Sequence, residues 1–399
     1  MAKLSVRDLD VRGKRVLVRV DFNVPTEVRG RKVRVSDDTR IRESLPTINY
    51  LREHGAKTIL MSHFGRPKGK PVGKYSLRPI GEYLHSLIHH PVIFSHDTIG
   101  DVPKKIVEHM ENGDVALLEN VRFQPGEEAN DPEFAKALSE LGDLYVNDAF
   151  GAAHRAHAST VGITKFVEKS GTGLLMEKEL KHLRDGLENP ARPFVVILGG
   201  AKVSDKIGVL KALMEKANTI LIGGAMANTF LKAEGFNVGE SLVEDDYLAQ
   251  AKDVMRQADE KGVKLLLPAD VIVAERFAAD SPARRVSVKD VPEGWRIMDV
   301  GETTIDVFAR ALQDCRMVVW NGPMGVIEMA PFAHGSHRLA GVIANLGEAT
   351  TIIGGGETAA VVEQVGLASR FSHVSTGGGA SLEFLEGKEL PGVAALMDA

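Results

Sequence analysis

Polar and cationic side chains follow four short apolar runs in the first half of the chain, where they could bind a small anion. Arginine presents a planar fork of N–H donors that matches carboxylate or phosphate oxygens, although a single arginine is commonly a solvated surface charge. The position of these residues just after each run therefore indicates a site. After "RVLVRV", "KTILMS", "DVALLE" and "DLYVND" come, in that order, Asp21 with Asn23, His63 with Arg66, Arg122, and Asp148 with His154 and Arg155.

Glycine-rich turns follow four of the six apolar runs in the second half, "FVVIL", "NTILI", "VKLLL", "RMVVW", "ATTII" and "SHVST". Glycine lets backbone N–H groups approach a phosphate at a helix N-terminus, where the helix dipole also favours an anion. A glycine pair alone is a weak signal, because many turns use it for geometry. The turns contain Gly199 and Gly200, Gly223 and Gly224, Gly354 to Gly356, and Gly377 to Gly379.

Two lysines follow the first of these glycine turns, in "LGGAKVSDKIGVL". Helical spacing predicts that Lys202 and Lys206 face the same groove, where they could neutralise charge on a phosphoryl group. The segment lacks the GxxxxGK[ST] pattern of a P-loop, and no GxGxxG fingerprint follows a run. A metal site is not indicated either, because the spacing of His154, Arg155 and His157 fits no metal motif.

The apolar runs alternate with helical patterns, which is typical of parallel α/β units. Residues just beyond the carboxyl ends of parallel strands share one edge of the sheet, where ligands bind. One half therefore has an edge suited to a small, multiply charged anion, and the other has an edge suited to a polyphosphate. Two such edges in one chain suggest phosphoryl transfer.

A helix is predicted between the two halves, in "GTGLLMEKELKHLRDGLENP". Met176, Leu180, Leu183 and Leu187 recur at helical spacing, and Pro190 lies beyond the end. This helix could join two domains or merely cover a face of one.

Composition narrows the class of protein. A chain of 399 residues favours two domains, and a net charge of −5 without blocks of like charge does not favour nucleic acid. The single Cys315 cannot form an internal disulfide, and the N-terminus lacks the apolar core of a signal peptide. No run of eighteen apolar residues is present. We expect a soluble protein of the cytoplasm that does not bind membranes.

Nine motifs in order resemble those of the phosphoglycerate kinase family: "RVDFNVP", "DDTRI", "SHFGRP", "LLENVRF", "NDAFGAAHRAHAS", "GGAKVSDKI", "WNGPMGVIE", "GGGET" and "STGGGAS". The resemblance extends over essentially the whole chain. It implies an α/β fold with two Rossmann-like domains whose parallel sheets face each other across a cleft. The implied divisions are an N-terminal domain at 1–172, an interdomain helix at 173–188, a C-terminal domain at 189–384, and a segment 385–399 that returns to the N-terminal domain.

The activity that the resemblance implies is reversible phosphoryl transfer between 1,3-bisphosphoglycerate and ADP, which gives 3-phosphoglycerate and ATP. The implied cofactor is Mg²⁺ carried by the nucleotide, and the implied partners are these small molecules alone. We expect a monomer that closes by hinge bending.

The resemblance also implies which residues bind each substrate. It places Asp21 and Asn23 at the glycerate end, Arg40 beside the reacting carboxyl group, and the other cations around the far phosphate. The implied 3-phosphoglycerate residues are Asp21, Phe22, Asn23, Arg40, His63, Phe64, Gly65, Arg66, Arg122 and Arg155.

On the nucleotide side, the resemblance implies phosphate-binding glycine loops and an adenine pocket. The implied nucleotide residues are Gly200, Ala201, Lys202, Lys206, Gly223, Gly224, Asn321, Pro323, Glu328, Gly354, Gly355, Gly356, Glu357 and Thr358, with further N–H groups from Gly378 and Gly379. Arg40, Lys202, Gly355 and Gly378 are the implied catalytic residues. Glu357 is the implied metal ligand, although many family members have aspartate at this position.

Two other classes of function remain open at this point. A nicotinamide-dependent dehydrogenase would share the doubly wound strands, and it would be favoured if NADH, but not ADP, quenched the fluorescence of Trp295 or Trp320. A non-catalytic sensor of sugar phosphates would keep the arginine edge and would not need the glycine turns, Lys202 or Lys206.

Overall fold

The computed structural model describes residues 3–30 and 32–399, without the side chains at positions 29, 32 and 185–187. The chain divides into two compact units. Unit 1 comprises Met1–Lys181 and Glu389–Ala399, and unit 2 comprises His182–Lys388. The domain boundaries expected from the sequence stay a prediction.

Unit 1 is built around a parallel sheet of six strands with helices on both faces. Its large sheet has the order β5-β6-β4-β1-β7-β8, and a separate hairpin pairs β2 with β3. The strands are β1 (Arg15–Arg19), β2 (Thr26–Arg29), β3 (Lys32–Val35), β4 (Lys57–Met61), β5 (Val92–Phe94), β6 (Val115–Leu117), β7 (Leu144–Asn147) and β8 (Lys169–Thr172). The helices are α1 (Thr39–Glu53), α2 (Arg78–Ile88), α3 (Asp101–His109), α4 (Pro132–Ser139) and, at the C-terminus, α13 (Pro391–Ala394).

Strand β1 shows why this sheet is buried on both faces. Val16 and Val18 point to one side, where they pack in a cluster with Ile48 of α1. Leu17 points to the opposite side and packs in a second cluster with Leu138 of α4. Successive side chains of a strand alternate between faces, so the three apolar residues in the middle of β1 fit a strand that helices cover on both sides.

Helix α5 (Leu174–Glu188) is the predicted central helix, and the division between the units falls within it. Met176, Leu180 and Leu183 are buried as their spacing predicts, and the side chain of Leu187 lies outside the described residues. Asp148, which follows β7, caps the N-terminus of this helix. Its Oδ1 accepts from the N–H groups of Leu175 at 2.9 Å and Met176 at 3.1 Å. Asp148 is therefore a capping residue and not part of the anion site.

Unit 2 contains a second parallel sheet of six strands, in the order β11-β10-β9-β15-β16-β17. A small antiparallel sheet has the order β13-β12-β14. The strands are β9 (Phe194–Leu198), β10 (Thr219–Ile222), β11 (Lys264–Leu266), β12 (Asp270–Ala274), β13 (Ala283–Ser287), β14 (Arg296–Val300), β15 (Met317–Asn321), β16 (Thr350–Gly354) and β17 (His373–Val374). The helices are α6 (Ile207–Met214), α7 (Met226–Ala233), α8 (Leu248–Glu260), α9 (Glu302–Leu312), α10 (His334–Ala344), α11 (Gly356–Gln364) and α12 (Gly378–Leu385).

Each parallel sheet has a point at which the strand order reverses. In unit 1 the reversal lies between β1 and β7, and in unit 2 it lies between β9 and β15. Open parallel sheets bind ligands beyond the carboxyl ends of the strands at such a point. The α/β class and the two parallel sheets are confirmed. Within the described residues, no helix is both long and apolar enough to cross a membrane.

Candidate active site

The turn after β1 brings the carboxylate and the amide of "VDFNVP" together. The Asn23 N–H donates to Asp21 Oδ1 at 3.1 Å. Arg40, in the first turn of α1, donates from Nη1 to Asp21 Oδ2 at 3.3 Å and to the Asn23 carbonyl at 2.9 Å. Phe22 between them is fully buried and anchors the turn in the core. The predicted residues Asp21, Asn23 and Arg40 therefore form one connected group.

The turn after β4 is hydrogen-bonded to the group of Asp21, Asn23 and Arg40. The Gly65 N–H donates to Asn23 Oδ1 at 2.9 Å, and the Gly65 carbonyl accepts from Arg122 Nη1 at 2.9 Å. Gly65 has a φ of +60°, and a Cβ there would lie 2.4 Å from the Tyr75 ring, so no other residue fits. Phe64 packs edge-on against Tyr75. Residues from three separate segments thus share one edge of the sheet.

His63 lies at the centre of this edge and is nearly completely buried. Burial lowers the pKa of His63 well below its usual value, and the charges of Arg19, Arg122 and Arg155 add to this effect while Asp21 opposes it. His63 is therefore neutral at pH 7.

Asp21 stays ionised at this edge. Burial tends to raise the pKa of Asp21, but nearby cations and the Asn23 N–H together lower it below its usual value. Because His63 is neutral, the charges of Arg40 and Arg19 are the ones that act at pH 7.

The other cations of the anion edge differ in exposure. Arg122 is buried, and its Nε lies 3.2 Å from Glu128 Oε1. Arg155 is partly buried and donates from Nε to His154 Nε2 at 3.2 Å. Arg66 is exposed and forms no hydrogen bond or ion pair with another described residue. Arg66 is thus the predicted residue with the weakest structural link to the group.

In unit 2, the turns after β9, β10 and β15 pack directly on one another. The Gly200 N–H donates to the Pro323 carbonyl at 2.8 Å, and the Gly224 N–H donates to the Met324 carbonyl at 3.1 Å. A Cβ on Gly224 would lie 2.4 Å from the Gly200 nitrogen, and one on Gly223 would lie 2.3 Å from the Met324 sulfur. Gly224 is therefore needed for the close approach of two backbone segments, and Gly223 leaves room for the Met324 side chain. Turn geometry alone did not indicate these roles.

Lys206 is buried beneath these turns. Its Nζ donates to the Asn321 carbonyl at 3.0 Å and also to Asn321 Oδ1. Burial lowers the pKa of Lys206 to about 8, although the negative charges of Glu357 and Asp205 oppose the shift. A buried cation within reach of glycine turns suits an anionic ligand, because the ligand would supply the missing counter-charge.

Lys202 is not buried beneath the turns as Lys206 is. The prediction that helical spacing places both lysines on one face is therefore wrong. Helix α6 begins only at Ile207, and Lys202 lies in the preceding turn with an exposed side chain. Its charge acts on Glu244, whose pKa it helps to lower. The six residues between the glycine pair and α6 are not helical, and the rotation expected of a helix therefore does not apply.

Two helices begin at the predicted phosphate loops. Helix α11 begins at Gly356 and α12 begins at Gly378, and a Cβ on Gly378 would lie 4.0 Å from the Gly356 nitrogen. Gly355 has a φ of +93°, which favours glycine. The Thr358 hydroxyl accepts from the Gly322 N–H at 2.7 Å and ties α11 to the turn after β15. The N-termini of both helices therefore lie close together, as an anion site requires.

A cavity of about 260 Å³ adjoins these turns. Its lining is mostly apolar, which suits the flat ring of a base, and includes a few polar groups at its margins. The predicted residues that line it are Gly200, Ala201, Gly224, Pro323, Glu328 and Glu357. Lys202, Lys206, Gly223, Asn321, Gly354, Gly355, Gly356 and Thr358 do not line it, and neither do Gly378 and Gly379.

Glu357 is the predicted metal ligand, and its surroundings show which kind of ion it could hold. It is exposed in the first turn of α11 and lines the cavity. The described residues contain no group of three or more His, Cys, Asp or Glu side chains that could hold a metal ion. Mg²⁺ in kinases is usually held by one or two carboxylates together with phosphates and waters. Glu357 therefore fits an ion that arrives with the nucleotide.

Several residues that support the site were missed in the sequence. Arg19 is buried within β1, where a charged residue in an otherwise apolar run could have indicated a special role. Asp299 also lines the cavity, and it accepts from the N–H groups of Gly335 at 2.8 Å and Val300 at 2.8 Å. Burial raises the pKa of Asp299 to about 7. Nothing in the local sequence distinguishes Asp299 from a surface aspartate.

Known proteins resemble this chain over its full length. The family model described as phosphoglycerate kinase matches residues 6–388. Curated phosphoglycerate kinases from Synechococcus elongatus and Chloroflexus aggregans are 56% and 53% identical, over 100% of this chain and 98% and 100% of theirs.

Solved structures agree with the sequence comparisons. The phosphoglycerate kinase of Coxiella burnetii has a TM-score of 0.86 and 40% identity over 98% of both chains. That of Pyrococcus horikoshii has a TM-score of 0.86 and 31% identity, over 99% of this chain and 98% of its own. This full-length agreement decides against the dehydrogenase and sensor alternatives. The chain belongs to the phosphoglycerate kinase family.

Proposed function

We propose that the chain transfers a phosphoryl group reversibly between 1,3-bisphosphoglycerate and ADP, which gives 3-phosphoglycerate and ATP. The observation that carries this proposal is the cluster of the cations Arg40, Arg122 and Arg155 around the neutral His63 at the switch point of the first sheet. A substrate with about three negative charges needs several such donors, each of which contributes about 1.5 to 3 kcal/mol.

The proposed substrate contacts follow from the hydrogen bonds of the site. Asn23 Oδ1 already accepts from Gly65, which turns its amide N–H groups toward other acceptors. Asp21 can accept from the substrate hydroxyl through its remaining lone pairs. Arg40 would contact the reacting carboxyl group. His63, Arg66, Arg122 and Arg155 would bind the far phosphate, with Phe22, Phe64 and Gly65 shaping the turns.

The proposed nucleotide site uses the glycine turns of unit 2 and the adjoining cavity. The base would enter the apolar cavity, and the Glu328 carboxylate would accept from ribose hydroxyls. Lys206 would lie near the phosphates, which would also accept from the N–H groups of α11 and α12. Mg²⁺ bound to the phosphates would neutralise part of their charge, and Glu357 would hold it directly or through a water.

The proposed reaction is direct in-line transfer without a phosphoenzyme. Such a transfer depends on orientation and on positive charge placed where the transition state carries negative charge. Lys202 would follow the phosphoryl group from the nucleotide side, and its exposed side chain is free to move. Arg40 would stabilise the same group from the carboxyl side.

The reaction and the role of Lys202 can be tested together. Purified protein with 3-phosphoglycerate, ATP and Mg²⁺ is expected to form an acyl phosphate, trapped by hydroxylamine as the hydroxamate. The Lys202→Ala variant is expected to form it about tenfold more slowly, because the lost charge-assisted contact is worth about 1.5 kcal/mol or more.

Lys211→Ala is the matched control, because Lys211 is an exposed lysine on α6 that lies 4.0 Å from Asp253. It should retain the parent rate. No hydroxamate from the parent protein would refute the proposed reaction, and an unchanged rate in Lys202→Ala would refute the role of Lys202.

We further propose that the two units close on each other through the α5 region, which would exclude water from the acyl phosphate. Variants in which the connection at 171–190 is shortened or stiffened should lose turnover more than they lose affinity for either ligand. Stopped-flow turnover beside equilibrium binding measures both. Unchanged turnover would count against closure.

The proposed enzyme is a monomer of the cytoplasm. Sedimentation equilibrium should give the mass of one chain with or without substrates, and a larger mass would contradict the monomer. Fractionation of the source cells should place the activity with the cytoplasmic proteins, and its recovery elsewhere would contradict the location.

A further inference from the structure

A buried arginine lies beside His63 at the anion edge, and its hydrogen bonds are all made within the protein. Arg19, at the end of β1, is 1% exposed. Its Nε donates to Ser159 Oγ at 2.8 Å, its Nη1 donates to the Val20 carbonyl, and its Nη2 lies 3.1 Å from His63 Nδ1. Each nitrogen of the guanidinium group thus has a partner within the protein. Arg19 is therefore held in one position behind His63.

A buried carboxylate balances this arginine through a serine. Glu127 is fully buried and accepts from the Ser159 N–H at 2.9 Å and from the Ser159 hydroxyl at 2.6 Å. The Ser159 carbonyl accepts from the Tyr145 hydroxyl at 2.8 Å, which fixes the segment. Because the Ser159 hydroxyl donates to Glu127, its oxygen is available to accept from Arg19. One continuous hydrogen-bonded chain therefore connects, in order, Glu127, Ser159, Arg19 and His63.

The direction of this chain determines the protonation of the His63 ring. A guanidinium group has only donors, so Nδ1 of His63 must be the acceptor. Asp21 Oδ1 lies 3.9 Å from the same nitrogen, which is too far for a hydrogen bond. In a neutral imidazole the other nitrogen then carries the proton. His63 accordingly has its N–H at Nε2.

We propose that Arg19 is a positioning residue that holds His63 as a neutral ring protonated at Nε2, so that this ring donates one directed hydrogen bond to the substrate. This inference rests on the proposed function for the identity of that substrate. The arginines around the ring supply charge, and the Arg19 contact supplies the direction of the His63 donor.

The surroundings of His63 keep the ring in this state over a wide range of pH. Burial lowers the pKa of His63, as do the charges of Arg19, Arg122 and Arg155, and Asp21 is the one carboxylate that opposes them. Because the pKa lies below the usual range, the proton that would charge the ring binds only in acid. Substrate affinity should therefore not change with the ionisation of His63 between pH 6 and pH 8.

The protonation of His63 can be measured directly in the parent protein without substrate. Long-range proton–nitrogen correlation spectra of protein labelled with ¹⁵N-histidine distinguish protonated from unprotonated ring nitrogens, and a His63→Gln variant assigns the signals. We expect an unprotonated Nδ1 and a protonated Nε2 at pH 7. A proton on Nδ1, or on both nitrogens, would overturn the proposal.

Two variants test whether Arg19 causes this state. In Arg19→Met combined with Glu127→Gln, no buried charge is left without a partner, so the variant is expected to fold. Its His63 should show mixed protonation at pH 7. Its KM for 3-phosphoglycerate should rise about tenfold and become dependent on pH, as expected for the loss of one directed hydrogen bond. Its KM for ADP should stay within about twofold of the parent value, because the loss of one hydrogen bond to the other substrate changes only the KM for that substrate by about tenfold.

Ser159→Ala removes the Nε anchor of Arg19 together with the hydroxyl that donates to Glu127, and it should show the same changes to a smaller degree. Retention of the parent ring state and of a pH-independent KM in both variants would overturn the role of Arg19. If the parent forms no hydroxamate, the proposed function fails while the ring measurement still stands. The two failures can therefore be distinguished.

Discussion

Replacement of Arg40 by alanine is expected to lower kcat by about two to three orders of magnitude, which is the usual loss when one preorganised donor to a transition state is removed. Arg40 uses Nη1 for its bonds to Asp21 and the Asn23 carbonyl. Its other nitrogens form no hydrogen bond with a described residue, and its side chain is 32% exposed. A guanidinium group held on one side and open on the other is preorganised to stabilise developing charge.

Two further variants make this prediction specific. Arg42→Ala removes an arginine two residues away whose Nε lies 2.7 Å from Asp38 on the surface, and it should retain nearly full activity. Arg40→Lys keeps the charge and loses the planar fork, so it should be intermediate. The measurement is steady-state kcat in the direction of hydroxamate formation. Comparable losses in the Arg40 and Arg42 variants would show a general effect of charge and refute the specific role.

Ten of the twelve strands of the two parallel sheets could be predicted, because most of them are continuously buried. The edge strands β5 and β8 were not predicted. All ten apolar runs form strands, with ends that differ by at most a few residues. The antiparallel strands β12, β13 and β14 were not predicted. Strand β13 has three exposed residues in succession, so it carries neither an apolar run nor a clear alternation. Strand β12 is apolar and mostly buried, so its sequence carried a signal that was missed.

The cationic edge could be predicted because parallel strands end on the same side. Its geometry could not, because contacts such as Gly65 with Asn23 and Arg122 join segments far apart in the chain. The supporting chain of Arg19, Ser159 and Glu127 also joins distant segments. No local periodicity relates such residues, and only the packed fold brings them together.

The two lysines after the first glycine turn show how a correct motif led to a wrong placement. Their spacing of four residues suits one face of a helix. The chain instead forms turns up to Lys206, which is buried, while Lys202 remains exposed. The apolar pattern that indicates the helix begins only at Ile207, so both lysines lie before its first residue.

Removal of the buried cation in Lys206→Met is expected to lower kcat/KM for ADP by about a hundredfold. Lys206 is held against Asn321 beside the glycine turns, where burial strengthens its attraction for phosphate. A charge-assisted contact is worth about 1.5 to 3 kcal/mol, and about 2.8 kcal/mol corresponds to a hundredfold. The matched control is Lys211→Met, because Lys211 lies exposed on α6. Equal losses in both variants would contradict a specific role for Lys206.

The ionisation of Lys206 also predicts how nucleotide use depends on pH. Because its pKa is lowered to about 8, the charged form predominates below pH 8 and is lost as the pH rises. We expect kcat/KM for ADP, which reports the free enzyme, to fall above pH 8 by about tenfold per unit. Burial raises the pKa of Asp299, which lines the adjoining cavity, to about 7, so a second variant must separate the two groups. In Lys206→Arg the cation cannot lose its proton, and the decline above pH 8 should disappear while any change near pH 7 remains. A decline that persists in Lys206→Arg would assign it to another group.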